Sequence, residues 1–211
     1  MPESEDPDWG QFASQEQSLH RAALHLEYFT VVYNIFEAVV SIAFGNQAGS
    51  IALIGFGLDS VVESLSGLVL VWRLRKYGHF SQDEEERVDR RAQRLVAMTF
   101  FILGAYVFYE SLVKLITREV AHPSSAGVVI ALLSIIIMPV LAWKKQKVGR
   151  AIGSRALIAD SKETLACASL SVGLLAGLVA NALFGFWQAD PLVGLFISLF
   201  LFWEGYEGLR A

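Results

Sequence analysis

The 211 residues are 54% hydrophobic with a mean hydropathy of +0.46, and the apolar residues lie in long blocks. That excludes an ordinary soluble domain and points to an integral membrane protein. The net charge of -4 comes largely from the N-terminal tail and one loop, so the basic face that nucleic acid requires is absent.

In chain order, residues 1–25 form an acidic, polar tail without the basic start and apolar core of a secretory signal. Insertion therefore falls to the first membrane helix. A helix needs about 20 apolar residues to cross the hydrocarbon core. Six blocks meet that length, over 26–46, 50–73, 94–117, 125–143, 154–184 and 188–208. None shows the alternation of a barrel strand.

Helix one carries Asn34 and Glu37, read either as groups lining a pathway or as partners in a structural hydrogen bond. Helix two carries Asp59 and Glu63 at i, i+4 on one face. The following loop is rich in Arg and Lys, and its His79 lies beside the acidic run 83–86, read as a solvated loop. On helix three, Glu110 is expected to pair with Lys114, with a pathway role as the alternative. Lys144, Lys145, Lys147, Arg150 and Arg155 make the loop between helices four and five basic. Helix five places Asp160, Glu163 and Cys167 on one face; Asp160 and Glu163 could instead pair with Lys162 or a cytoplasmic base. Cys167 is the single cysteine, so no intrachain disulfide forms and the redox compartment stays open. Asp190 before Pro191 reads as the N-cap of helix six.

The positive charges of the second-to-third and fourth-to-fifth loops predict that both termini are cytoplasmic. An internal match organises the chain further. GSIALIGFGLDSVVES from Gly49 overlays GSRALIADSKETLACA from Gly153, so Asp59 falls on Glu163, Ser60 on Thr164 and Glu63 on Cys167. The two helices run in opposite directions, which predicts two inverted three-helix halves in an all-α membrane protein. In each half the first matched acid lies ten residues after the glycine, about 15 Å along a helix and near the bilayer midplane.

Charges at that depth are expensive and mark functional sites. Protonation or a bound cation offsets them, and a divalent ion neutralises two carboxylates at once. Asp59, Glu63 and Glu163, with Asp160 or Cys167 completing the set, suit tetrahedral zinc, while oxygen-rich coordination leaves manganese or ferrous iron open.

The six helices, with D-S-x-x-E on the second and A-D-x-x-E opening the fifth, resemble the cation diffusion facilitator family. The likeness runs from about residue 26 to the end, and its style is similar to the transmembrane protein 163-like branch. The resemblance implies metal export by proton antiport, with Asp59 and Glu63 on helix two facing Glu163 and Cys167 on helix five. It implies no enzymatic activity and no cofactor beyond the transported cation. Its partners are a divalent metal ion, protons, the lipid membrane and a second copy in a homodimer. The expected place is the plasma (inner) membrane of a prokaryote, spanned several times. The chain stops at Ala211, so the family's C-terminal cytoplasmic domain is expected to be missing, and Cys167 stands where that family usually has aspartate.

Two other functions compete with this reading. An intramembrane aspartyl protease needs Gly-x-Gly-Asp, but Asp59 comes one residue late and no second motif follows. A cation channel or a non-transporting membrane adaptor is the stronger rival, although a channel needs a continuous polar lining and these acids gather at one depth.

Overall fold

The computed structural model describes residues 9–75 and 82–210, and contains no strand among them. Lys76, His79, the first eight residues of the acidic tail, and the side chains of the 83–86 run and of Arg87, Arg90 and Arg91 lie outside the described residues. Six helices follow one another: α1 (Trp9–Ala48), α2 (Ile51–Arg75), α3 (Gln82–Thr117), α4 (Ser125–Ala151), α5 (Arg155–Phe184) and α6 (Ala189–Arg210). All six contain a stretch long and apolar enough to cross a membrane.

Several helices outrun the predicted blocks. α1 reaches back to Trp9, α3 begins at Gln82 and α4 continues to Ala151. Hydropathy marks only the part of a helix suited to hydrocarbon, whereas backbone hydrogen bonding continues through charged residues with good helix propensity. Lys144, Lys145, Lys147 and Arg150, expected in a loop, therefore belong to α4.

The internal match extends to the turn geometry. Gly49 and Gly153 adopt left-handed φ values of 63° and 66°. Ser50 N donates to Gly45 O and Ser154 N to Gly149 O, each at 2.9 Å. Ser50 Oγ then accepts from Leu53 N, and Ser154 Oγ from Leu157 N, opening α2 and α5 alike. Gly45 and Gly149 let the preceding helix approach closely, since a Cβ on either would press on Ile54 or Ile158.

Polar contacts fix one end of the bundle. His122 N donates to Ala48 O, and Asn181 Nδ2 to Ala121 O. Asp190 accepts from Ser50 Oγ and from Ile51 N. The C-termini of α1, α3 and α5 thus share one end with the N-termini of α2, α4 and α6, making α2 antiparallel to α5. Asp190 does not cap its own helix as expected; it caps α2, whose first N–H groups would otherwise lack acceptors.

Helices pair as α1 on α2, α4 on α5 and α3 on α6, with α2 also touching α3, α5 and α6. The core holds Phe56, Ile51, Leu53, Ile130, Met138, Leu170, Leu174, Ile197 and Leu201. Phe29, Val32, Ile102, Ile116, Ile136 and Leu199 point outward, as lipid-facing side chains do in a membrane bundle.

Candidate metal centre

At i, i+4, Asp59 and Glu63 stack on the face of α2 that meets α5, and the antiparallel α5 presents Cys167 to them. One oxygen of each carboxylate and the Cys167 Sγ lie within 4.8 Å of one another, and all three residues are buried. Asp59 is eight residues after Ile51, about 12 Å along the helix and close to mid-depth.

The surroundings of the trio contain little that would neutralise it. Neither carboxylate forms an ion pair among the described residues, where the buried pairs converge on Lys145. Asp59, 2% exposed, accepts no hydrogen bond there either. Glu63 accepts one, from Asn34 Nδ2 at 3.0 Å, while Asn34 Oδ1 is buried with no partner. A buried acid without donors is costly when ionised, so this site favours whatever brings positive charge into it.

Glu37 lies behind Cys167. Its Oε2 accepts from Ser60 Oγ at 2.8 Å and lies 4.0 Å from the Cys167 Sγ. Its Oε1 accepts from Ser134 Oγ, which shares a 2.9 Å bond with the Tyr33 hydroxyl. Asn34 and Glu37 therefore both touch the trio, one through each partner.

Two residues expected in the cluster stand apart from it. Asp160 is engaged by Lys145 Nζ, which also lies 3.2 Å from Glu27 Oε1 and donates to Thr164 Oγ1 at 3.3 Å. The ion-pair alternative thus describes Asp160, with a partner on α4 rather than Lys162. Glu163 lies outside the trio, lines a cavity and accepts a long 3.4 Å bond from Ser66 Oγ. Glu110 is half-buried on α3 and is not paired with Lys114, whose Nζ donates to Gly49 O at 2.5 Å. The turn carbonyl draws the ammonium away because it lacks a helical partner.

Sequence reasoning missed Glu27, Lys145 and Glu204. A signal was present for the first: Glu27, Thr30, Asn34, Glu37 and Ser41 recur at spacings of three and four, and all five are buried. Lys145 continues the buried face of Ser134, Met138 and Leu141, and Glu204 that of Ile197 and Leu201.

Comparison with known proteins brings these features under one pattern. The model of the cation efflux transmembrane domain matches residues 28–211. The chain is 23% identical to the uncharacterized transporter sll1263 of Synechocystis, covering 77% of this chain and 54% of that protein. It is 22% identical to transmembrane protein 163 of Xenopus laevis, covering 92% and 68%. It is 24% identical to the cation-efflux pump FieF of Citrobacter koseri, covering 77% and 57%. The chain thus spans little more than half the length of two of these relatives.

Proposed function

The chain belongs to the cation efflux family, and from that premise we propose that it carries divalent metal cations, zinc first, across the membrane in exchange for protons. The observation that carries this reading is the buried Asp59, Glu63 and Cys167 trio, which has no cationic partner of its own among the described residues.

Two carboxylates and a thiolate suit zinc, whose bonds are about 2.0–2.2 Å to oxygen and 2.3 Å to sulfur. Around such an ion the donors stand about 3.3–3.6 Å from one another, so closing on the metal takes a contraction of at most about 1.5 Å from the present limit of 4.8 Å. Asn34 Oδ1, buried and unpartnered, supplies a fourth donor if the side chain turns inward. A thiolate also favours zinc over magnesium or manganese.

Ligands bind metal in their deprotonated forms, so an arriving cation displaces protons from the trio. Glu37 is placed to receive the Cys167 proton, and the chain through Ser134 to Tyr33 extends that path away from the metal. Protons and cation are alternative occupants of one site, and their competition couples the two gradients.

The test uses purified protein in vesicles holding a zinc dye and a pH dye. Asp59→Asn keeps the shape of the side chain and removes a charge; it is expected to abolish zinc flux and the proton counter-movement together. Unchanged zinc flux in that variant, or wild-type flux without proton movement, sinks the mechanism and promotes the channel or adaptor reading.

A further inference from the structure

We propose that Glu163 and Glu204 form a second, shallower cation site, where a divalent ion is held partly hydrated before it passes to Asp59, Glu63 and Cys167. The inference rests on the transport reading above and adds to it a holding step.

A cavity of about 650 Å³ opens between α2, α3, α5 and α6, with Ser66, Glu163, Glu204, Phe100 and Trp203 among its walls. Six waters around an ion occupy about 180 Å³ at about 30 Å³ each, so a hydrated divalent cation fits with room to move. Glu204 is only 8% exposed, yet it lines this cavity and has no hydrogen bond or ion pair among the described residues. A carboxylate enclosed to that degree normally has a partner. Here its free face is the cavity.

The other charges in the cavity single out the same two acids. Asp160 is matched by Lys145. Glu207 is exposed, as are Lys162 and Arg210, and Arg210 stacks on Tyr206 at 4.4 Å. Arg73 is half-buried on the wall. The exposed bases are screened by salt over about 8 Å, whereas Glu204 is shielded from solvent. Glu163 on α5 and Glu204 on α6 both line the cavity. Ser66, which donates to Glu163, is one helical turn from Glu63 on α2, so the cavity wall adjoins the deep trio.

The donors at this level are all oxygens: two carboxylates and the Ser66 hydroxyl. Oxygen ligands that leave water on the ion discriminate little among divalent cations. Selection for zinc then falls to Cys167, one step deeper.

Cobalt distinguishes the two levels, because only an ion bound to the Cys167 thiolate shows thiolate-to-cobalt charge-transfer absorption. The full chain in lipid nanodiscs is titrated with cobalt and then with manganese, counting bound ions by equilibrium dialysis. The wild type should bind two cobalt ions, one with the band and one without, and manganese should displace the bandless ion with similar affinity. Glu204→Gln should keep the band and weaken the bandless ion by at least about tenfold. Cys167→Ser should lose the band and keep the bandless ion. A wild type that binds only the banded ion, or a Glu204→Gln variant with bandless binding unchanged, overturns the holding site and leaves the deep site standing. Bandless binding without any band in the wild type overturns the deep site instead. Should Glu204→Gln lose the band through misfolding, Glu163→Gln decides by the same two readouts.

Discussion

Lys145 is the charge on which the inner packing of the bundle turns. It is fully buried and lies between Glu27 of α1 and Asp160 of α5, so one ammonium serves two carboxylates from different helices. In the internal match Lys145 falls on Ser41, and Asp160 on Phe56, both buried. The second half thus has an ion pair where the first has an apolar side chain and a hydroxyl. Removing one partner of a buried pair leaves the other charge without compensation, at about 3–5 kcal/mol. Lys145→Met should therefore lower unfolding stability by about that amount. The partner substitutions Glu27→Gln and Asp160→Asn, added to Lys145→Met, should recover part of the loss because they remove the stranded charges. Denaturation of the purified protein checks this; additive losses across the three changes would show that the residues do not act as a unit.

Among the elements, the two Gly-Ser turns are the clearest repeated device. Gly49 and Gly153 share a left-handed backbone, and neither has a close neighbour in the way of a Cβ: one added at Gly49 would lie 3.9 Å from Lys114 Nζ, and one at Gly153 would meet nothing within 4 Å. Substitution by alanine there tests backbone strain almost alone, worth about 1–2 kcal/mol for an L-residue. Gly49→Ala and Gly153→Ala should destabilise by similar amounts within that range, read from unfolding in the same detergent. A large loss at one turn and none at the other would mean the halves do not share the geometry in solution. Gly45 and Gly149 differ in kind, because a Cβ there meets the backbone of the following helix at 2.9 and 3.2 Å.

At the scale of the whole molecule, the bundle is tied at one end and hollow at the other. Asp190 on Ser50 and Ile51, Lys114 on Gly49, Asn181 on Ala121 and His122 on Ala48 close the first end. The cavity occupies the second, where Arg73, Lys162 and Arg210 gather. If the basic loops mark the cytoplasmic side, the cavity faces the cytoplasm, where an exporter takes up its cargo. Single cysteines in a Cys167→Ser background test this orientation at Asn46, which is exposed near the closed end, and at Ser81, which lies outside the described residues. An impermeant thiol reagent should label position 46 in intact cells and position 81 only after permeabilisation. Labelling of position 81 from outside reverses the orientation and with it the direction of the proposed transport.

Length and hydropathy alone determined that there are six membrane-type helices, and a five-residue identity with matched polar positions revealed the repeat. The i, i+4 spacing put Asp59 and Glu63 on one face, and the overlay of the halves matched Glu63 with Cys167. Periodicity settles such questions because neighbours within a helix are set by its pitch. Tertiary structure alone decided that Lys145 takes Asp160, that Glu163 turns to the cavity beside Glu204, and that Asp190 caps α2 rather than its own helix. Those outcomes depend on how far each helix is rotated and at what depth it crosses its neighbour. Interhelical packing sets both quantities, through close contacts such as Gly45 on Ile54 and through long side chains that reach across a helix face, and no local pattern within one helix encodes them.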